Sequence, residues 1–150
     1  MQNRLRPILF GGDGGGSAVA DAGLLLLRLV AGLALAFAHG VNKMPPSEGF
    51  VSGVAELGFP APTFFAWAAG FAEFVGGGLL TIGLLTRPAS FFIAFTMAVA
   101  FFGRHAGDAF SDKEKPLLFM AVALAFLLIG SGRYGLDRLL YRRRDTRIWR

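Results

Sequence analysis

The residue type that most directly suggests chemistry is the carboxylic acid Glu73, which lies inside an apolar segment. The segment 63–85 reads TFFAWAAGFAEFVGGGLLTIGLL and contains no other charged residue. A carboxylate at the centre of a membrane-spanning helix costs roughly 2.5–3.5 kcal/mol on insertion scales, so it normally faces protein or water and has a partner. Glu73 is therefore predicted to handle protons, to bind the polar end of a ligand, or to form a buried ion pair.

Three basic residues near the preceding apolar segment are the candidate partners of Glu73: Arg28, His39 and Lys43. Because eleven residues make almost a whole number of helical turns, His39 lies nearly above Arg28, about 16 Å along the helix axis. If the two helices are antiparallel neighbours, Glu73 lies at a depth between Arg28 and His39. We therefore expect Glu73 to form a polar pocket with Arg28 or His39, with Lys43 as a further candidate.

Small residues on both helices indicate that these side chains point into a bundle. The first helix has small residues at intervals of four, a pattern that allows close approach of a neighbouring backbone. These are Gly32, Ala36 and Gly40. The residues one turn away from Glu73 are also small, namely Ala69, Gly70, Gly76 and Gly77. Glu73 is therefore predicted to face protein rather than lipid.

Secondary polar candidates are His105, Asp137 and Thr96. His39 and His105 are both expected near the outer face, either as a bis-His haem pair or as surface hydrogen-bonding groups. Thr96 is expected to bond its own helix backbone, and Asp137 to cap or pair near the Gly130–Gly135 turn. No metal site is predicted. The chain has no cysteine, which excludes disulfides, thiolate nucleophiles and iron–sulfur clusters.

The composition predicts which elements hold these residues in place. Hydrophobic residues make up 54% of the 150 residues and charged residues 17%, with a mean hydropathy of +0.55. Such a chain is too apolar for an ordinary soluble domain. We predict an all-α, polytopic membrane protein in which a four-transmembrane-helix bundle occupies residues 22–132, with helices at about 22–41, 63–85, 88–106 and 116–132. A flexible, Gly-rich segment 1–21 precedes this domain and a basic cytoplasmic tail 133–150 follows it.

The distribution of Lys and Arg predicts the orientation, because basic residues are retained on the cytoplasmic side. One side would carry Arg4, Arg6, Arg87 and seven Arg residues of the tail; the other would carry Lys43, Arg104, Lys113 and Lys115. Both termini are therefore predicted to be cytoplasmic. The net charge of +5 is concentrated in the tail, which favours anionic lipid headgroups over nucleic acid.

Short motifs in the expected order resemble the DoxX family of small four-helix membrane proteins. They are Arg28-Leu29 with Gly32, His39-Gly40 with Lys43, Ala72-Glu73-Phe74-Val75-Gly76-Gly77 through Arg87, and Gly130-Ser131-Gly132 leading to Leu136-Asp137-Arg138. The resemblance implies a bundle in a bacterial-type inner membrane and an association with quinone-linked redox chemistry, since the family name comes from a subunit of a thiosulfate:quinone oxidoreductase. It places Arg28, His39, Lys43, Glu73 and Asp137 at the family's polar positions.

These observations favour an accessory or quinone-interacting subunit of a membrane redox system, with a polar intramembrane site around Glu73. Quinone is the only cofactor suggested, and the catalytic residues of a stand-alone enzyme are not identified. The alternative is a non-enzymatic structural or assembly factor whose ion pair holds the bundle. A small-molecule or proton-coupled transporter is a third hypothesis. A redox partner subunit and a homodimer are the protein partners considered.

Overall fold

The computed structural model of the protein describes residues 17–145, and this region is entirely helical apart from turns and loops. The helices are α1 (Ala18–Lys43), α2 (Glu48–Glu56), α3 (Pro62–Ile82), α4 (Thr86–Arg104), α5 (Phe110–Ile129) and α6 (Leu136–Asp145). Most of the predicted Gly-rich segment and the last five residues of the predicted basic tail lie outside the described residues.

Three of the helices, α1, α3 and α4, are long and apolar enough to cross a membrane. The prediction of an all-α protein is therefore confirmed, and three of its helices could span a membrane. The predicted fourth span corresponds to α5, which begins at Phe110 rather than near residue 116. Its first turns include four charged residues, Asp112, Lys113, Glu114 and Lys115. Only the part of α5 after these charges is continuously apolar.

Close backbone contact between α1 and α3 depends on the small residues predicted from the sequence. A Cβ atom added to Gly77 would lie 2.8 Å from the carbonyl oxygen of Gly32 and 2.9 Å from the amide nitrogen of Ala36. One added to Gly40 would lie 2.6 Å from Cα of Phe74. These distances are shorter than van der Waals contact, so glycine is required where the two helices meet. The predicted small-residue face of α1 is confirmed.

The core lies between α1, α3, α4 and α5 and contains few large side chains. Leu35, Leu80, Ile93 and Phe126 are each at most 2% exposed. In a bilayer such packing holds helices together mainly through van der Waals contact, since lipid tails are as apolar as the side chains. The phenylalanines of α4 point outward. Phe91, Phe92, Phe95 and Phe102 are all more than half exposed, as expected for lipid contact.

Local sequence signals account for where the helices begin and end. Ser17 and Ser47 cap α1 and α2, because each hydroxyl accepts a hydrogen bond from the backbone amide three residues later. Helix α3 ends at Gly83, whose φ of +70° favours glycine. Gly130 and Gly132 also have positive φ and turn the chain after α5. The Gly-rich motif 130–135 is thus a helix-terminating turn, as predicted.

Candidate functional site

Arg28 lies in a buried polar cluster between the ends of α3 and α5 and the middle of α1. The side chain is 1% exposed. Its Nε donates to the carbonyl of Thr81 at 3.2 Å, Nη1 to that of Ser131 at 2.5 Å and Nη2 to that of Tyr134 at 3.2 Å. These carbonyls lie at or just beyond helix C-termini, where backbone acceptors lack intrahelical donors. A guanidinium with all three nitrogens bonded to such groups joins three segments of the chain.

Asp137 completes this cluster from the beginning of α6. Its two carboxylate oxygens accept hydrogen bonds from the backbone amides of Leu85 at 2.7 Å and Thr86 at 2.9 Å. Its own amide donates to the carbonyl of Gly83 at 2.8 Å. Asp137 therefore caps the beginning of α4, as its acidic type favours at a helix N-terminus. We call Arg28, Asp137 and the backbone groups that they bind the Arg28 cluster.

The predicted pairing of Glu73 with Arg28 is wrong. The side chain of Arg28 is held by the three carbonyls, whereas Glu73 lies level with Gly40, where a Cβ atom would be 2.8 Å from the carbonyl carbon of Glu73. Twelve residues separate Arg28 from Gly40, or roughly 18 Å along the helix. The error came from assuming that Glu73 lies midway along α1. The partners of Arg28 come from distant parts of the chain, and the helical pattern around Glu73 contains no information about them.

Glu73 binds Lys43, the residue at the C-terminus of α1. Lys43 Nζ lies 2.5 Å from Glu73 Oε1. The carboxylate is 1% exposed, whereas the lysine side chain is 32% exposed and its ammonium lies 5.4 Å from the centre of the Phe50 ring. The prediction that Glu73 faces protein is confirmed. The ion pair links α1 to α3 at the end of the bundle opposite the Arg28 cluster.

The two carboxylate oxygens of Glu73 differ in their hydrogen bonding. Oε2 is buried and has no hydrogen-bond partner among the described residues. Burying a polar atom without a partner typically costs about 1–3 kcal/mol, and more when the group is charged. An arrangement of this kind is uncommon in folded proteins and calls for an explanation. A hydrogen-bond donor placed beside Oε2 would remove this cost.

A pocket of about 160 Å³ lies beside Glu73. Its wall combines polar residues with aliphatic and aromatic ones. The residues that line it are Leu35, His39, Lys43, Glu73, Met97, Ala100, His105, Asp112, Lys115, Pro116 and Phe119. A buried apolar cavity of about 150 Å³ is known to hold one benzene ring. The pocket therefore has the size for a single six-membered ring, with polar groups at its edges.

Two stretches of π-helix lie next to this pocket. In α1 the residues Ala34–Gly40 are π-helical, and the amide of Val41 donates to the carbonyl of Ala36, five residues earlier. In α4 the residues Ala100–Arg104 are π-helical, and the amide of His105 donates to the carbonyl of Ala100 at 2.9 Å. Such widened turns cost helix stability and are frequent at functional sites. Both stretches contribute residues to the pocket wall.

The two histidines come together at this pocket, as their predicted position near one end of the bundle suggests. The His39 ring makes an edge contact with the Phe119 ring, with centroids 5.5 Å apart. His105 Nδ1 lies 2.7 Å from Asp108 Oδ2. A pocket that matches one six-membered ring is far too small for a porphyrin between the histidines, so the haem hypothesis is not supported. Within residues 17–145, no group of three or more His, Asp or Glu side chains could hold a metal ion.

The remaining predicted residues lie elsewhere. Thr96 is half-buried on α4 and is not among the described residues that line the pocket. Asp137 belongs to the Arg28 cluster, which lies roughly 18 Å from the level of Glu73 along the bundle. The structure thus brings together Glu73, Lys43, His39 and His105, and it separates them from Arg28, Asp137 and Thr96.

Several residues of the site were not predicted from the sequence. Asp112 and Lys115 enter the pocket because α5 begins earlier than expected, and its acidic and basic first turns are the signal that could have shown this. Phe119 lies within the predicted helix 116–132, and its contact with the pocket depends on the packing of that helix. Asp21, which is 4% exposed, accepts a hydrogen bond from the backbone amide of Arg133 at 3.4 Å. Nothing in the sequence near Asp21 indicates that contact.

Comparison with known proteins gives consistent matches. The DoxX family model matches residues 23–106, which include Arg28, His39, Lys43 and Glu73. The chain is 34% identical over 124 residues to "Inner membrane protein YphA" of Escherichia coli, covering 77% of this chain and 89% of that protein. It is 28% identical over 123 residues to "Putative oxidoreductase CatD" of Bacillus subtilis, covering 81% and 90%. No solved structure gives a significant match.

Proposed function

The chain belongs to the DoxX family, and from this premise we propose that it is an accessory, quinone-interacting subunit of a membrane redox system. The quinone ring would bind in the pocket beside Glu73. One relative with 90% of its length covered carries the name "Putative oxidoreductase CatD", which supports a redox setting. The chain itself would contribute binding and proton handling, and a partner subunit would supply the electron carrier.

The observation that carries the proposal is the unpartnered oxygen of Glu73 beside a pocket with the size of one ring. Glu73 is 1% exposed. A carboxylate buried to this extent is costly unless each oxygen has a hydrogen-bonding or charged partner. The pocket wall offers apolar surfaces for the ring, from Leu35, Met97 and Phe119, and polar groups for its oxygens. This combination of an apolar cavity and a few convergent polar groups is typical of small-molecule sites.

We also propose that α5 is a fourth span and that both termini are cytoplasmic, in a bacterial-type inner membrane. The basic residues are consistent with this orientation. Lys43, His105 and Lys115 all line the pocket at one end of the bundle, while Arg87 donates to the carbonyl of Leu128 near the other end. A relative named as an inner membrane protein supports the location. Tilting and snorkelling of the first-turn lysines would let the shorter apolar part of α5 cross the bilayer.

The cytoplasmic end would then contact anionic lipid headgroups. Leu136, Leu139 and Leu140 of α6 are exposed, and Arg138 precedes three further arginines of this helix in sequence. A helix with exposed leucines and many basic residues suits the membrane surface. A homodimer remains compatible with the proposal, because small residues on the spans permit packing between protomers.

The second candidate function is a structural or assembly factor, and one observation favours it. The contact between Lys43 and Glu73 already forms an ion pair, and such a pair can fix the position of α1 against α3 without binding any ligand. In that case the replacement of both residues by apolar ones should leave the fold and its partner proteins unaffected.

Ligand binding by the Glu73→Gln variant distinguishes the two functions. We expect a short-chain quinone analogue to bind the purified protein in detergent, and the variant to bind it with an affinity changed by at least about tenfold, because the charge beside the ring is removed and an amide that can donate takes its place. Glu114→Gln is the matched control, because it is the same carboxylate-to-amide change at an exposed residue that does not line the pocket. Unchanged affinity in a folded Glu73→Gln protein would contradict a ligand role for Glu73.

A further inference from the structure

We infer that the pocket beside Glu73 binds the reduced, hydroxyl-bearing form of its ring ligand, a hydroquinone, in preference to the oxidised quinone. The inference rests on the proposed function and adds to it the redox state of the ligand that the site selects. It also assigns the direction of the principal hydrogen bond, in which the ligand hydroxyl donates and the Glu73 carboxylate accepts.

The hydrogen-bonding capacity of Glu73 is the first step. With Lys43 as its ion-pair partner at Oε1, the carboxylate is an acceptor only, and Oε2 is the acceptor without a partner. A quinone oxygen is also only an acceptor, so the two would repel each other in a buried site. A hydroquinone presents an O–H donor at the same position on the ring. Hydrogen bonds from O–H groups to carboxylates are short and strong.

The pocket can deliver a donor to this oxygen without a large rearrangement. The terminal torsion of a glutamate side chain is broad and roughly two-fold. Because this torsion is broad, a partial rotation about it can turn Oε2 toward a ligand in the pocket that Glu73 lines. Lys43 is partly exposed and has three N–H donors. It can therefore follow the carboxylate.

The charges of the pocket wall favour a neutral ligand. Lys43 and Lys115 are balanced by Glu73 and Asp112, so the formal charges of the lining residues cancel when the histidines are neutral. An anion such as phosphate or a carboxylic acid would meet the buried Glu73, and a cation would meet Lys43. A neutral ring with hydroxyl groups meets neither obstacle, and Met97 and Phe119 offer its faces apolar contact.

Other polar groups of the pocket do not discriminate between the two forms. Lys43, when it donates to a ligand oxygen, can donate equally to a carbonyl or to a hydroxyl, since both oxygens accept. The histidines can act as donors or acceptors according to tautomer. Preference for the reduced form is therefore expected to depend on Glu73, and substitution there should abolish it.

The test compares three ligands with the same ring under anaerobic conditions: a short-chain benzoquinone, its hydroquinone, and the dimethyl ether of that hydroquinone. The ether keeps the ring and the oxygens of the hydroquinone, lacks the O–H donors and is larger by two methyl groups. Calorimetric titration of the full-length protein in detergent is expected to show hydroquinone binding about 10- to 100-fold tighter than either of the others. The Glu73→Gln variant should bind all three within about threefold of one another, because an amide can donate as well as accept.

The outcomes separate this inference from the proposed function. If the quinone or the ether binds the unaltered protein as tightly as the hydroquinone, the inferred preference is wrong and the quinone-binding function stands. If none of the three ligands binds, both are wrong. The comparison of the hydroquinone with the quinone uses the unaltered protein and two ligands of nearly equal size, so it decides the question even where Glu73→Gln fails to fold. Glu114→Gln should keep the full preference for the hydroquinone.

Discussion

Two of the buried charged side chains, Arg28 on α1 and Glu73 on α3, lie at levels of the bundle roughly 18 Å apart, and their hydrogen bonds differ. All three nitrogens of Arg28 donate to backbone carbonyls, and both oxygens of the nearby Asp137 accept from backbone amides. One oxygen of Glu73 binds a half-exposed lysine, and the other has no partner among the described residues beside a ring-sized pocket.

The difference indicates that the two regions have different roles. A buried charge whose hydrogen bonds are all made within the protein has no remaining capacity for a ligand, and its energetic contribution goes into holding segments together. A buried charge with an unused acceptor reduces stability and gains binding capacity. We therefore regard the Arg28 cluster as structural and the Glu73 pocket as the functional site. The following predictions test this division, from the largest expected effect to the smallest.

Substitution Arg28→Ala should destabilise the protein most. It removes three charge-assisted hydrogen bonds, one of them fully buried, leaves the carbonyls without these donors and creates a cavity, so we expect a loss of about 4–6 kcal/mol in the free energy of unfolding. Thermal unfolding in detergent, monitored as the loss of folded protein, would measure this destabilisation. Arg104→Ala is the control, because Arg104 is exposed on α4 and does not line the pocket. Equal stability of the two variants would contradict a structural role for the Arg28 cluster.

Gly83→Ala should be the next most damaging change. Gly83 has a φ of +70°, and a Cβ atom there would collide with the Arg28 guanidinium and with Cα of Gly135. Backbone strain and steric overlap together should lower the unfolding free energy by about 2–4 kcal/mol. Gly78→Ala provides the contrast within α3, since a Cβ atom at Gly78 meets nothing within 4 Å. That variant should be neutral or more stable by about 0.5–1 kcal/mol. Thermal unfolding of both variants tests the prediction.

At the other region, Lys43→Met should cost more stability than Glu73→Gln. Without Lys43 the buried carboxylate has no charged partner, and we expect a loss of about 1–2 kcal/mol. Without the carboxylate, Lys43 can turn toward solvent because it is already 32% exposed, so the loss should stay below about 1 kcal/mol. The double substitution should recover most of the Lys43→Met loss. Unfolding midpoints measured side by side test this order, and a larger loss for Glu73→Gln than for Lys43→Met would contradict it.

The structural features that the sequence predicts are those governed by local patterns. Helical periodicity placed Glu73 among Gly70, Gly76 and Gly77, and this determines that it faces inward whatever its partner is. The stripe of Gly32 and Gly40 predicted the close approach of α1 and α3 for the same reason. The glycines of segment 130–135 predicted a turn because they tolerate positive φ.

The parts that it did not predict depend on contacts between distant segments. Arg28 finds its acceptors at Ser131 and Tyr134, more than one hundred positions later in the chain, and no periodicity relates them. The pocket requires α1, α3, α4 and α5 to converge, and its π-helical turns have no local signature. Helix α2 was missed despite its signal, since Ser47 followed by Glu48 after two prolines is a recognisable helix start.

Photoaffinity labelling with an azido-substituted quinone tests most directly whether the Glu73 pocket is the ligand site. We expect labelling of peptides that contain pocket residues, above all Met97 or Phe119. Excess unmodified hydroquinone should suppress that labelling. Labelling confined to the exposed phenylalanines Phe91 and Phe92, or labelling that the competitor leaves unchanged, would show that the ring partitions into lipid beside the bundle. Either result would contradict ligand binding in the Glu73 pocket.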